Sequence, residues 1–178
     1  MDGCTAQSSP AERRCGVSTL AMFPAELIAI ADSTDAQNTP RDLCLDLGWF
    51  DLDVASNPRS NIQARASYQL ERGQDGLALP WVGSVWCNGP YSDPLPWCER
   101  LRGHQGPWAA LWKLDSTTTW FSVLVRAADA WAPFKKRLTF DRAGNVGSAD
   151  FSSVLAWGGG WIPSASVLQR LWAPRRDR

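Results

Sequence analysis

The alternation of apolar and polar residues is the main pattern along this chain, and it predicts β-strands. From Ile62 to Leu70 every second residue is apolar, which is typical of a half-buried strand. Apolar residues also alternate from Leu43 to Val54, and the phase of that alternation reverses at Gly48. A glycine at such a reversal indicates a β-bulge, so we predict a bulged strand in this segment.

Turn sequences further along the chain predict more strands joined by short connections. Asp75-Gly76 favours a hairpin turn. Pro163 and Ser164 instead favour the start of a helix, with Ser164 as its N-cap and apolar residues at helical spacing up to Trp172. The other predicted strands are 77–86, 108–114 and 119–126 (these two as a hairpin), and 134–140, with a turn at 142–145 leading into one more.

Short turns between neighbouring strands favour antiparallel pairing. We therefore predict a mainly β fold, an antiparallel β-sandwich or open barrel of about seven strands with a short C-terminal helix. An α+β fold is the alternative. The predicted organisation is a loose N-terminal leader (1–16), a single β-rich globular domain (17–173) and a basic tail (174–178). Within that domain, 24–30 fits either a helix or a strand, and 32–40 is predicted to be a loop.

Tryptophan is unusually abundant, with eleven residues against two tyrosines and one histidine. Each indole has about 150–250 Å² of surface to bury and one N–H that needs an acceptor. We therefore expect some of these rings to lie at a binding surface, in the proline-rich loop 88–107 or beside the glycines of 157–161. The predicted binding residues are Tyr91, Trp97, His104, Trp131, Trp157 and Trp161.

The charges balance, with eighteen basic and eighteen acidic residues. A balanced chain lacks the long-range field that draws a protein to phosphate backbones or anionic lipid. The basic cluster identified in the sequence is the tail, with Arg175, Arg176 and Arg178. We therefore do not expect nucleic acid to be a partner.

The longest apolar run, from Leu20 to Ala31, contains Pro24 and Glu26 and is too short to span a bilayer. No export signal is found, and the five cysteines are odd in number and irregularly spaced. These features predict a cytoplasmic protein with reduced thiols.

Motifs for catalysis are weak. The sequence has no G-x-S-x-G, no C-x-x-C and no phosphate-binding glycine loop, so we predict no catalytic residue, no metal site and no cofactor. The string 49–54 resembles the aspartate motif of haloacid-dehalogenase-type phosphatases. That family needs a parallel sheet of alternating strands and helices, which this pattern does not predict. Asp51 and Asp53 are therefore expected to face solvent.

The favoured function is a non-catalytic protein-binding domain of the inhibitor, immunity or assembly-accessory type. Its loop tryptophans would serve as anchors for a protein partner, because indoles are enriched among interface hot spots. Two alternatives remain: a carbohydrate- or small-ligand-binding β-sandwich, and a small hydrolase-type enzyme with its site near loop 88–107. An enzyme is the less favoured class.

Overall fold

A computed structural model describes Met1 and residues 38–142 and 145–176. The predictions for the leader 1–16, for segment 24–30 and for most of the loop 32–40 lie outside these residues. Helices and strands alternate through much of the described chain. In order they are α1 (Arg41–Leu47), β1 (Trp49–Ser56), β2 (Gln63–Gln69), a 3-10 turn (Leu70–Arg72), β3 (Val85–Cys87), α2 (Leu95–Gly103), β4 (Trp108–Lys113), α3 (Thr119–Ala127), β5 (Ala130–Pro133), β6 (Thr139–Arg142), β7 (Asn145–Ser148), β8 (Ser153–Gly158) and α4 (Ala165–Arg170).

The main sheet has six strands in the order β2-β1-β3-β4-β8-β5. The first four strands are parallel, and β8 is antiparallel to both of its neighbours. The β6–β7 hairpin forms a separate two-stranded sheet. The fold is therefore mixed α/β with a mostly parallel sheet, and the prediction of a mainly β sandwich or barrel is wrong.

Two hydrophobic cores, one on each face of the sheet, show that the sheet is buried on both sides, as is usual for a mostly parallel sheet. Along β4 the side chains of Trp108 and Trp112 join one core, whereas Ala109 and Leu111 join the other. Helices α2 and α3 cover the first face, and α1 and α4 cover the second. A strand buried on both faces reads as a nearly continuous apolar run, and 108–113 has this pattern.

Three helices lie where the sequence predicted strands or a loop. The segment 41–47 is helical, and Gly48, with φ 78°, ends the helix in a conformation that favours glycine, so it does not mark a bulge. The segment 119–127 is also helical, and its buried side chains, Trp120, Phe121, Leu124 and Val125, recur at helical spacing. The alternation of Phe121, Val123 and Val125 had suggested a strand. Within the predicted loop 88–107, residues 95–103 form α2.

Other local predictions are confirmed. Strands occupy 49–56, 63–69 and 108–113, and the strand predicted to follow the turn at 142–145 is present as β7, which pairs with β6. Residues 143–144 of that predicted turn lie outside the described residues. The C-terminal helix begins as predicted, since the Ser164 hydroxyl accepts a hydrogen bond from the Val167 amide at 3.2 Å. The predicted hairpin at Asp75-Gly76 is wrong, because β3 pairs in parallel with β1 and β4.

The connection between β1 and β2 shows why short turns were misleading. Residues 57–62 alone join these two parallel strands, although such crossovers usually need about a dozen residues or more. The chain turns at Asn57, whose carbonyl accepts from the Ser60 amide at 3.0 Å. The Ser60 hydroxyl then contacts Asp53 at 3.1 Å, so the chain has already come back alongside β1. A short connection therefore does not imply antiparallel pairing here.

Most of the tryptophans are inside the protein. Trp81, Trp131 and Trp161 are half-buried, and Trp49 and Trp172 are exposed, at 68% and 59%. The other six are buried: Trp86, Trp97, Trp108, Trp112, Trp120 and Trp157. Two cores thus accommodate more indole than the single sandwich core on which the sequence argument depended. No helix in the described part of the chain is long and apolar enough to cross a membrane.

The 157–161 turn gives a test of the fold. Gly159 has φ 61°, and a Cβ there would lie 2.0 Å from the Gly106 carbonyl oxygen, whereas Gly160 has φ 84° and open space around it. We expect Gly159→Ala to lower the free energy of unfolding by at least ~3 kcal/mol, and Gly160→Ala by only ~1 kcal/mol from backbone strain. Urea denaturation measures both. Equal losses would contradict the close backbone approach.

Candidate functional site

The topology of the sheet identifies where a ligand would bind. From β1 the chain moves to β2 on one side, whereas β3 and β4 lie on the other side of β1. The loops that follow β1 and β3 therefore diverge and leave a crevice at the carboxyl ends of these strands. In open parallel sheets ligands bind at such a switch point. The two loops here are 57–62 and 88–94.

Two adjoining cavities open in this crevice. The first, which we call the switch-point cavity, has a volume of about 130 Å³ and lies between the ends of β1 and β2, the loop around Gly76 and the start of α2. The second, the polar cavity, has about 30 Å³. Its lining residues are Asn38, Thr39, Asp53, Ala55, Asn57, Ser60, Trp86 and Asn88. Ala55, Asn57 and Asn88 line both cavities.

Asp53 is the most unusual group in the polar cavity. It is only 3% exposed, and it accepts hydrogen bonds from the Ser60 hydroxyl at 3.1 Å and the Ala55 amide at 3.4 Å. Desolvation by burial raises the pKa of its carboxyl group to about 6, although these hydrogen bonds oppose the shift. No lysine or arginine in the described part of the chain forms an ion pair with it. Buried carboxylates normally have a cationic partner, so this cavity suits a positively charged ligand.

Asn88 is the second polar group of the site. It follows β3 directly, at the carboxyl edge of the sheet. Its Nδ2 donates to the Thr39 hydroxyl at 3.3 Å, which fixes the orientation of the side-chain amide. The oxygen of such an amide is an acceptor for an N–H group of a ligand. Asn88 therefore places an oriented acceptor between the two cavities.

Trp97 forms a wall of the switch-point cavity, and two glycines allow it to pack there. A Cβ on Gly89 would lie 2.9 Å from the Trp97 ring. A Cβ on Gly76 would lie 1.9 Å from the Val54 carbonyl oxygen and 3.0 Å from the Trp97 ring. The chain can therefore close around the indole only because both positions are glycine.

The irregular loop 74–84 is attached to this wall. Trp81 donates its indole N–H to the Gly76 carbonyl at 2.7 Å and stacks on Trp97 with ring centroids 6.4 Å apart. The Arg100 guanidinium lies 4.9 Å from the Trp81 ring and donates to two carbonyls of the same loop. These contacts hold the loop in place beside the cavity without regular secondary structure.

The structure brings only part of the predicted binding set to this crevice. Trp97 lines the switch-point cavity, but its ring is buried at 8% exposure. Tyr91 lies in the loop after β3, and its ring packs edge-on against Phe151 at 5.5 Å. Burial raises the pKa of the Tyr91 hydroxyl above its ordinary value. Whether either residue contacts a ligand stays a prediction.

The other four predicted residues lie outside the two cavities. His104 contacts the Gly83 carbonyl at 3.1 Å. Trp131 packs edge-on against Phe121, Trp157 is buried, and Trp161 stacks on Phe50 at 5.9 Å. None of these four lines either cavity, and their predicted role in binding remains untested.

Sequence reasoning missed the polar residues of the site. Asp53 is in a strand between Leu52 and Val54, and all three are buried because both faces of the sheet are covered. The expectation that Asp53 faces solvent is wrong, whereas the Asp51 side chain is 38% exposed and pairs with Arg65. The resemblance to haloacid-dehalogenase-type phosphatases was set aside because the sequence predicted no parallel sheet. That reason was wrong too, since the first four strands of the sheet are parallel. A polar residue directly after a strand, such as Asn88, was the signal that could have found the site.

The buried thiols of Cys44, Cys87 and Cys98 do not line either cavity. Burial raises the pKa of Cys44 and of Cys98 to about 12, so both stay protonated near neutral pH. Cys87 is also buried. Among the described residues no group of histidine, cysteine or acidic side chains is arranged to hold a metal ion.

Comparison with known families identifies the chain. Residues 30–154 match the family described as DNA N-6-adenine-methyltransferase (Dam), a stretch that contains every lining residue of both cavities. The chain belongs to the Dam family. The match covers more than two thirds of its length. No match was found among curated proteins or among solved structures.

Membership of the Dam family corrects the functional prediction. It points to a DNA-modifying enzyme, so the non-catalytic protein-binding domain, with its immunity-like role and protein partner, is wrong. The carbohydrate-binding sandwich and the small hydrolase lose their basis as well. The expectation against nucleic acid is also wrong, because it rested on overall charge and not on where the charges lie.

Asp53 gives a pH-dependent prediction. Because the carboxyl pKa is about 6 in the folded protein against an ordinary 3.8, the folded state binds the proton more tightly. Wild type should therefore lose stability as the pH rises from 3.8 to 6, a loss that Asp53→Asn cannot show. We compare the free energy of unfolding of the variant with that of wild type. The difference, variant minus wild type, should be about 3 kcal/mol larger at pH 6 than below pH 3.8. Urea denaturation across this range measures the difference.

Asp51→Asn is the matched control. Hydrogen bonds from the Ser84 backbone and hydroxyl lower the pKa of Asp51, so its contribution is present at neutral pH and lost on acidification. Its variant should therefore lose stability at neutral pH, opposite in sign to Asp53→Asn. A difference for Asp53→Asn that stays constant with pH would contradict the buried-carboxylate account.

Proposed function

We propose that this protein transfers a methyl group to the N6 amine of adenine in DNA, in the crevice between β1 and β3. The observation that carries the proposal is the position of Asn88. Its oriented amide lies at the carboxyl edge of the sheet, between the two cavities, within the region that matches the Dam family. A cytoplasmic location, as the sequence suggested, fits an enzyme whose substrate is DNA.

The reaction needs a methyl donor, and we propose S-adenosylmethionine, which supplies a methyl group on a positively charged sulfonium. The residues of the crevice fit this molecule. The buried Asp53 carboxylate suits its cationic amino-acid end. In nucleotide-binding sheets of this kind an acidic side chain after the second strand binds the ribose hydroxyls. Glu71 follows β2 and lines the switch-point cavity.

The apolar lining of the switch-point cavity suits the adenosine rings of the donor. Tyr68, Leu70 and Trp97 contribute to this lining. At about 130 Å³ the cavity is smaller than a typical ligand site of ~300–1,000 Å³, so it would hold only one part of the donor. Leu70 and Glu71 are exposed, which leaves that side of the crevice open to solvent for the remainder.

Asn88 would act on the substrate amine. The lone pair of the adenine N6 is delocalised into the ring, so the amine is a poor nucleophile until its N–H groups are held by acceptors. The amide oxygen of Asn88 would accept one of these hydrogen bonds and orient the nitrogen for attack. The new N–C bond would form as the S–C bond of the donor breaks, S-adenosylhomocysteine would leave, and N6 would lose one proton to solvent. Enzymes that modify a base rotate it out of the duplex and bind it in a pocket of this kind, reading its edge by hydrogen bonds.

The direct test is to incubate the protein with duplex DNA and S-adenosylmethionine and to analyse the nucleosides by mass spectrometry. Wild type should produce N6-methyladenine. Asn88→Ala should lower kcat by about 10²–10³-fold, a loss typical of removing one positioned hydrogen-bonding group. Asn88→Asp keeps an acceptor oxygen and should retain more activity than the alanine variant.

Gln105→Ala is the matched control, since it removes a side-chain amide outside both cavities that donates to the Gly103 carbonyl at 3.2 Å. It should methylate DNA at the wild-type rate. A wild-type protein that yields no methylated adenine, or methylates only cytosine, would overturn the proposed function.

A further inference from the structure

A cleft of about 1190 Å³ lies on the face of the sheet covered by α1 and α4. Its cations come from three parts of the chain: Arg41 at the start of α1, the run Lys135-Lys136-Arg137 after β5, and Arg170 at the end of α4. We call it the basic cleft. The run Lys135-Lys136-Arg137 is visible in the sequence, but the cleft is not, because only folding brings the three segments together.

The charges of the basic cleft do not cancel. Its two carboxylates, Asp42 and Asp46, are both bound by Arg170, with nitrogen–oxygen distances of 2.7 Å and 2.8 Å. These contacts lower the pKa of Asp42 and raise that of Arg170. Four exposed cations remain, and within the described chain none of them forms an ion pair: Arg41, Lys135, Lys136 and Arg137. The cleft is therefore positive although the whole chain is neutral.

The basic cleft borders the polar cavity along two short stretches of backbone. Thr39 lines the polar cavity and Arg41 lines the cleft. Ser60 likewise lines the polar cavity, and the next residue, Asn61, lines the cleft. The Asn61 side chain donates to the Thr39 carbonyl at 3.3 Å and so ties the two stretches together. A polymer lying in the cleft would pass beside the crevice that contains Asp53.

We propose that the basic cleft binds the sugar-phosphate backbone of duplex DNA next to the target base, an inference that rests on the proposed function. Phosphate contacts position a protein on DNA without reading its sequence, and cations that make them release counterions. A concave cleft with several uncompensated cations, beside the crevice that contains Asp53 and Asn88, suits a backbone that must be held while one base leaves the stack. The balanced total charge does not oppose this, because binding depends on local charge.

Arg41 and Lys136 are the cleanest residues to test. Lys135 also donates to the Gln169 carbonyl at 2.9 Å, and Arg137 donates to the Ala149 carbonyl at 3.5 Å, so changing either would disturb packing. Arg41 and Lys136 make no side-chain hydrogen bond or ion pair with other described residues. Replacing both with glutamine removes two charges and keeps much of the side-chain length.

The experiment measures binding of a fluorescein-labelled duplex by anisotropy over a series of salt concentrations. The double variant Arg41→Gln with Lys136→Gln should raise Kd about tenfold or more at low salt, uniformly across sequences. It should also reduce the slope of log K against log salt by about 2, because two phosphates no longer have a cationic partner. The charge-preserving pair Arg41→Lys with Lys136→Arg should restore both values.

The matched control is Arg102→Gln with Arg126→Gln, which removes two exposed cations from α2 and α3 on the opposite face. It should bind DNA as wild type does. If the Arg41 and Lys136 double variant, with an unchanged thermal midpoint, keeps the wild-type Kd and salt slope, the cleft proposal is overturned. The proposed function is judged separately, on wild type alone, by whether it methylates adenine. Failure of wild type itself to methylate adenine would overturn only that function.

Discussion

The burial of the Asp53 carboxylate at the carboxyl end of β1 is the constraint on which the site depends. Because helices cover both faces of the sheet, this group cannot turn to bulk water, and its pKa rises to about 6. The return of the chain along β1 brings the Ser60 hydroxyl to it, and Asn88 completes the same cavity from the next strand. A cation bound beside this carboxylate would offset the free-energy cost of burying its charge.

Such an arrangement costs stability that a more apolar residue would restore. Proteins often accept this loss at functional sites, where local rules are broken for the sake of binding or chemistry. The rest of the crevice supports that view. Gly76 and Gly89 let Trp97 close one wall of the switch-point cavity, and Arg100 holds the adjacent loop. Close packing therefore surrounds the crevice that contains the buried Asp53 carboxylate. The basic cleft then adds a second, separate contact for a large anionic substrate.

The sequence could predict local structure where its pattern of apolar and polar residues fitted only one type of secondary structure. The alternation over 63–69 gave a strand, and Ser164 gave a helix N-cap. It could not decide 119–127, because Phe121, Val123 and Val125 alternate along the sequence although the residues that become buried recur at helical spacing. Missing that helix removed the evidence for a parallel sheet. Asn88 after a strand was a local signal for the site, but its companions were beyond local reasoning. Asp53 joins Asn88, and Arg41 joins Lys136, only through the folding of the whole sheet.

The most direct test follows the Asp53 carboxyl carbon by nuclear magnetic resonance during a pH titration, with and without S-adenosylmethionine. Assignment comes from comparison with Asp53→Asn. In the free protein we expect a pKa of about 6. A cationic donor bound beside the carboxylate should lower that pKa well below its free value. If the donor saturates the protein and the Asp53 pKa does not move, the donor binds elsewhere and the account is contradicted.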